Sequence, residues 1–178
     1  MKKAVVLNAS PNPDGSTAQL ISAFTHIYNE KLIVYNMYNE KIAPCIGCNR
    51  CADGGKCFMS DTNGILNDIF TADFLIFASP VYNYSFPSPM KAFLDRLQPY
   101  FFSESSQIER KGFLLVTCGK SGKYSIEIME KQTKTAFSEL SAEFCGSYVF
   151  ANTDKRNTLQ QNEIRKAESL AKEFFGIV

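Results

Sequence analysis

Short apolar runs alternate along the whole chain with longer stretches of helical period, and this alternation constrains the fold more than any single residue does. The runs at 3–9, 32–37, 74–79, 111–118 and 142–150 are strand-sized. Between them apolar residues recur every third or fourth position. Leu20, Ile21, Phe24 and Ile27 mark a helix over 17–28, with Ser16 and Gln19 spaced as a capping box. Asp61 is placed to cap a second helix that reaches Thr71 and turns Ile65, Leu66, Ile69 and Phe70 inward. Ser88 is placed to cap a third, with Pro89 in its first turn, where a missing N–H costs nothing. That helix carries Met90, Phe93, Leu94 and Leu97. Two more are predicted over about 121–140 and 159–175. Strict strand–helix alternation predicts a parallel sheet with helices on both faces and right-handed crossovers. The run at 74–79 holds almost no polar residue, so it belongs in the middle of that sheet.

A length of 178 residues predicts a single domain. Hydrophobic residues at 45% and charged residues at 21% exclude a disordered or fibrous chain. The formal net charge of +1 gives no bulk attraction to nucleic acid or anionic membrane. No apolar run approaches the roughly 18 residues that a membrane span needs. The apolar start at 4–7 is too short for a signal peptide and is broken by Asn8 and the Pro- and Asp-bearing segment 11–14. It reads as the first strand of a cytoplasmic protein, in which the sequons at Asn8 and Asn83 carry no glycan.

In an open sheet of this kind, ligands sit beyond the carboxyl ends of the strands. Function is therefore expected at 8–17, 42–60, 79–88 and 117–124. The first of these leads from a strand into a helix N-terminus, where unpaired N–H groups favour a phosphate. Ser10, Asn12, Ser16 and Thr17 add neutral donors, and the loop has no Lys or Arg. A nucleoside triphosphate site would need a lysine for the outer phosphates, so the composition suits a single phosphate. The alternative is a plain strand–helix turn with a capping serine. Gly119-Lys120-Ser121 is not a P-loop, because position 114 is Leu rather than Gly, and Gly119 and Gly122 lack the dinucleotide-binding spacing. In the segment 79–88, Tyr82, Tyr84 and Phe86 stand among prolines. Such a stiff aromatic loop suits a flat ring system, whose polar edge the backbone N–H groups of 81–85 would meet. Packing on a neighbouring chain is the other reading, and one loop can do both.

Four of the six cysteines fall between positions 45 and 57, as Cys45, Cys48, Cys51 and Cys57 in the pattern C-x₂-C-x₂-C-x₅-C. Structural zinc sites space two cysteine pairs a dozen or more residues apart. Compact C-x₂-C-x₂-C runs instead wrap [4Fe–4S] clusters, and Gly47, Gly54 and Gly55 would allow the tight backbone. A redox-active thiol pair, or a loop that leaves its thiols unliganded, are the alternatives. Cys118 and Cys145 lie in strands and are expected to be small buried hydrophobes. His26 is the sole histidine and is expected at the surface, so a Ser–His or Cys–His nucleophile has little support. Asp95-Arg96 is expected to form an ion pair or to tie helix to loop.

Residues 5–17 (VVLNASPNPDGST), the cysteine loop and residues 79–96 (SPVYNYSFPSPMKAFLDR) together resemble the NAD(P)H-dependent FMN reductases and iron–sulfur flavoproteins of the flavodoxin-like superfamily. The likeness covers about residues 3–120; the remainder agrees only in its strand–helix pattern. It implies an α/β three-layer sandwich with a five-stranded parallel sheet in the order 2-1-3-4-5, and one FMN per subunit. By position, Ser10, Asn12, Ser16 and Thr17 would hold the FMN phosphate. Pro80, Val81, Tyr82, Asn83 and Ser85 would hold the isoalloxazine ring, and Thr117, Cys118 and Gly119 would close its other side. Cys45, Cys48, Cys51 and Cys57 would ligate a [4Fe–4S] cluster where one is present. Two departures bear on the phosphate: the family often has a basic residue where this chain has Asn12, and Asn where it has Ser16. Relatives of this kind are usually dimers or tetramers with flavin near the interface, which implies a homodimer or homotetramer here.

The resemblance implies an oxidoreductase in which NAD(P)H reduces bound flavin, which then serves a small-molecule or protein acceptor. A non-enzymatic flavodoxin-type carrier is the alternative, although flavodoxins tend to be strongly acidic. A nucleotide-responsive regulator on the same fold is a third.

Overall fold

The computed structural model describes residues 1–52, 56–101, 109–120, 122–156 and 158–177. Gly54 and Gly55, expected to tighten the cysteine loop, and Ser121, the expected start of the fifth helix, lie outside the described residues.

The elements follow the order β1 (Lys3–Asn8), α1 (Ser16–Thr25), β2 (Lys31–Asn36), α2 (Asn63–Phe70), β3 (Phe74–Pro80), α3 (Ser88–Asp95), α4 (Gln98–Phe101), β4 (Arg110–Thr117), α5 (Lys123–Glu139), β5 (Ala142–Phe150) and α6 (Gln161–Phe175). The strands form one five-stranded sheet in the order β2-β1-β3-β4-β5 with every pairing parallel, the flavodoxin-like arrangement. Val6 stands between Val34 and Ile76, and Leu114 beside Phe77. The apolar β3 is central, as its composition requires. Order reverses at β1, since β2 lies on one side of it and β3 on the other. That reversal opens a crevice above the carboxyl ends of β1 and β3.

Each face of the sheet has its own core. Val5, Leu7, Leu75 and Phe77 pack with Met90, Phe93 and Phe137 on the α2–α3–α5 side. Ala4, Val6 and Ile76 pack with Phe24, Phe174 and Phe175 on the α1–α6 side. A phenylalanine buried as fully as Phe24, Phe77, Phe93 or Phe137 contributes about 1.5–3 kcal/mol of burial free energy. Among the described residues no helix is long and apolar enough to cross a membrane.

Several local expectations are corrected. The N-cap of α1 is Gly15 and no side chain caps that end, so Ser16 lies inside the first turn. Thr62, not Asp61, is the N-cap of α2, because the Asp61 carboxylate is engaged by Arg96. Pro87, not Ser88, precedes α3. Cys145 is exposed rather than buried. The register between β4 and β5 shifts at Gly112/Phe113, pairing Phe144 with Gly112 and Gly146 with Phe113. Cys145 is thus the extra residue of a β-bulge and turns away from the ladder. Gly112 is required there, since a Cβ would lie 2.3 Å from the Phe137 ring. Cys118 is buried as expected.

Candidate functional site

The loop after β1 is shaped by its own short side chains. The Asn8 carboxamide oxygen accepts the Ser10 N–H at 3.0 Å, the Ser10 hydroxyl accepts the Asn12 N–H at 3.2 Å, and the Asn12 side-chain oxygen accepts the Asp14 N–H at 3.1 Å. These successive turns carry the chain from β1 into α1, while the Ala9 N–H donates to the Ala78 carbonyl at 2.8 Å and holds the loop against β3. Glycine at the N-cap offers α1 no side-chain oxygen, and the first turn has no acidic residue. The positive end of the helix dipole is therefore not neutralised by a side chain. Ser10 and Thr17 are buried beside it, and Asn12 is exposed.

The Thr17 and Thr117 hydroxyls meet at 2.8 Å and bridge the start of α1 to the end of β4. Thr117 also receives the next loop, since the Val81 N–H donates to its carbonyl at 2.8 Å. Tyr82 and Ser85 exchange two backbone hydrogen bonds of 3.0 Å around Asn83 and Tyr84, both at positive φ (46° and 65°). This is the geometry of a tight two-residue hairpin turn. It narrows one expectation. The N–H groups of Val81, Tyr82 and Ser85 are engaged within the protein, so the amides left to meet a ring edge are those of Asn83 and Tyr84. The Ser85 hydroxyl donates to the Gln132 side chain at 3.0 Å, which fixes the turn to α5. Tyr82 and Tyr84 are exposed at the tip, and Tyr84 meets Tyr124 edge-on at 6.4 Å. Pro80 closes β3 opposite Thr117.

Past β4, the Cys118 N–H donates to the Phe150 carbonyl and the Thr153 N–H to the Cys118 carbonyl, both at 3.0 Å. Burial pushes the Cys118 thiol up, so it is a neutral thiol. Gly119 lies beside the Asp154 carboxylate. Together, Ser10, Ser16, Thr17, the 80–85 turn and Thr117–Gly119 occupy three adjoining loops at the carboxyl ends of β1, β3 and β4. The donor set is hydroxyls, amides and a helix terminus. That chemistry fits the phosphate and planar ring of a mononucleotide such as FMN without a cationic side chain.

The cysteine loop leaves β2 and returns at α2. Cys45 and Cys48 are exposed, while Cys51 and Cys57 are half-buried. All four line one cavity of about 250 Å³, walled also by Met59 and Arg96. Gly47 and Asn49 take left-handed conformations (φ 65° and 58°), and the Gly47 N–H points at Cys45 Sγ at 3.5 Å. Among the described residues no three Cys, His, Asp or Glu side chains converge closely enough for a single ion.

Of the two expectations for Asp95-Arg96, the helix–loop tie is met by Arg96, while Asp95 forms its ion pair with Lys91 rather than with Arg96. The partner Asp61 was missed as such, as were Tyr38 and Tyr124. Burial, and after it the charge of Tyr82, push the Tyr38 phenol up. Nothing in local pattern signals a contact between side chains so far apart in sequence. His26 is half-exposed and lies 3.4 Å from Glu168, on α1 and away from these loops.

Fold and site define a flavodoxin-like α/β protein whose ligand-facing loops gather at the switch point of the sheet. The chain belongs to the NADPH-dependent FMN reductase family, which it matches over residues 2–156. An iron–sulfur flavoprotein of Methanocaldococcus jannaschii is 33% identical over 101 residues, 54% of this chain and 52% of that protein. One from Clostridioides difficile is 26% identical over 179 residues, covering 95% of this chain and 76% of the other. The chain thus spans about half the length of the first of these relatives. The solved NAD(P)H:quinone oxidoreductase of Methanothermobacter marburgensis superposes with a TM-score of 0.75 at 16% identity, covering 96% of this chain and 94% of that one.

Proposed function

We propose that the chain works as one FMN-binding domain of an NAD(P)H-dependent flavin oxidoreductase that delivers electrons to a small-molecule or protein acceptor. The observation that carries this reading is the meeting of an uncapped α1 N-terminus with the Thr17–Thr117 bridge and the rigid 82–85 turn above the β1/β3 crevice. Family membership supports it independently. When bound, FMN supplies hydride acceptance and onward electron transfer. The chain supplies placement. Ser10, Asn12, Ser16 and Thr17 hold the phosphate, with the dipole of α1 offsetting its charge. Pro80, Val81, Tyr82, Asn83 and Ser85 support the ring on one side. Thr117, Cys118 and Gly119 bound the other, and the neutral Cys118 thiol adds no competing nucleophile. The exposed rings of Tyr82, Tyr84 and Tyr124 form a rim on which a nicotinamide or a flat acceptor can stack.

The cysteine loop supports a second cofactor, a [4Fe–4S] cluster on Cys45, Cys48, Cys51 and Cys57, which supplies one-electron chemistry when bound. Four thiols on one cavity wall and two left-handed turns among them favour this reading, as do relatives named iron–sulfur flavoproteins. Free thiols of this kind belong in a reducing cytoplasm, and a homodimer or homotetramer is the proposed assembly.

Anaerobic titration of the FMN-loaded protein with NADPH, and then with NADH, tests the enzyme reading. Bleaching of the flavin absorbance followed by recovery on adding a quinone is expected. Unbleached flavin would favour the non-enzymatic carrier. Tyr82→Asp should weaken flavin retention; an unchanged yield of yellow protein would remove Tyr82 from the ring site.

A further inference from the structure

Arg96 follows α3 and is 2% exposed, although it is charged. A guanidinium has five N–H donors, and here each has its own acceptor. Nε donates to Cys57 Sγ at 3.3 Å. Nη1 donates to the Ala43 carbonyl at 3.0 Å and Asp61 Oδ2 at 3.2 Å. Nη2 donates to the Met59 carbonyl at 2.8 Å and Asp61 Oδ1 at 2.7 Å. Every acceptor lies on the flanks of the cysteine loop, with Ala43 just before the first thiol and the other three at or just after the last. Asp61 closes the same ring directly by accepting the Ala43 N–H at 2.8 Å. One side chain at the C-terminal cap of α3 therefore joins both ends of the loop and touches the sulfur of one of its four cysteines.

We propose that Arg96 is the positioning residue of the cysteine site, holding the loop ends together so that the four thiols surround their cavity before metal arrives and fixing Cys57 at its rim. This rests on the cluster reading given above. The physical gain is entropic. The residues between Ala43 and Asp61 would otherwise have to be gathered from an open loop at the moment of cluster assembly. A planar fork with five fixed donors can perform this task, and a lysine ammonium with three donors on one nitrogen cannot span the same acceptors. The charge-assisted contact to Cys57 is also of the kind that sets cluster potentials.

The test compares wild type with R96K, R96Q and the double variant R96M/D61N. The double variant removes both charges and guards against misfolding caused by an unpaired, part-buried carboxylate. In metal-free protein, amide hydrogen exchange over 43–61 should speed up by about tenfold or more in all three variants, while the sheet amides and FMN uptake stay at wild-type values. After anaerobic reconstitution with iron and sulfide, the variants should retain less cluster. What remains should show a reduction potential below wild type, least displaced in R96K. Unchanged exchange over 43–61, loss of protection spread evenly over the whole chain, or an identical potential in every variant would overturn the role of Arg96. Failure of wild type itself to take up iron would instead overturn the cluster reading, and the exchange data would still decide whether Arg96 organises the loop.

Discussion

Two arginines are buried almost equally in this molecule, Arg96 at 2% exposure and Arg110 at 3%, and they have opposite fates. Burial opposes the charge of both. At Arg96 the Asp61 carboxylate and the Cys57 sulfur outweigh that penalty and hold the guanidinium above its ordinary pKa. At Arg110, on the first residue of β4, burial wins over the neighbouring Glu109 and pulls the value down. Arg110 donates to the Leu140 and Phe70 carbonyls and to Glu109, but its Nε has no partner among the described residues. The foot of β4 tolerates a charge; the flank of the cysteine loop is built around one. Burial alone does not tell a structural arginine from an organising one; the count and origin of its acceptors do.

The largest effect that could break this comparison comes from substitution by methionine. R96M leaves Asp61 unpaired at a partly buried site and should cost about 3–5 kcal/mol. R110M removes a donor that is only partly satisfied and should cost less, about 1–3 kcal/mol. Urea unfolding of both proteins checks the order, and an equal or larger loss for R110M would dissolve the distinction.

Next in size is the effect of acid and base, which should separate the two regions by sign. Burial pushes the Asp61 carboxyl up, but the hydrogen bonds from Arg96 and Ala43 outweigh it and leave the carboxyl below its ordinary value. Its contribution is therefore present at neutral pH and lost as pH falls below about 3.8 and through the folded-state value. Glu139, at the end of α5, is pushed by burial from 4.5 up to about 7. The native state then binds the extra proton, so stability from this group is present below 4.5 and lost as pH rises through about 7. Solvent screening at this half-exposed position leaves only part of the roughly 1.4 kcal/mol per unit that the shift implies. E139Q should flatten the fall in unfolding free energy between pH 4.5 and 7. A slope that survives the substitution would assign it elsewhere.

The smallest effect on folding should come from Cys48→Ser, because Cys48 is exposed and outside the Arg96 network. Iron should be lost with FMN retained and the melting temperature of the metal-free protein unchanged. Loss of FMN as well would merge the loop with the crevice.

Much of this was legible in the sequence. The βα alternation, the central β3 and the four functional loops follow from apolar periodicity, which is a local property. Chain order 2-1-3-4-5 was reached only through the family resemblance. The errors fall where a side chain had a distant competitor. Asp61 reads as a helix cap until Arg96, 35 residues on, claims it. Cys145 reads as a buried strand residue until the register shift between β4 and β5 makes it the extra residue of a bulge. The amides of 81–85 read as ligand donors until three of them turn out to close a hairpin and bind β4. Spacing rules describe one segment at a time, and each of these outcomes is a competition between two.

The knot of hydrogen bonds joining Ala43, Met59, Asp61 and Arg96 also makes the cysteine segment something of a cassette. Four of the five guanidinium donors that fasten its base go to groups other than the thiols. Doubling such a loop adds only about 0.6 kcal/mol of closure cost. Lineages could thus lengthen, trim or empty the cassette while the yellow half of the molecule kept its shape.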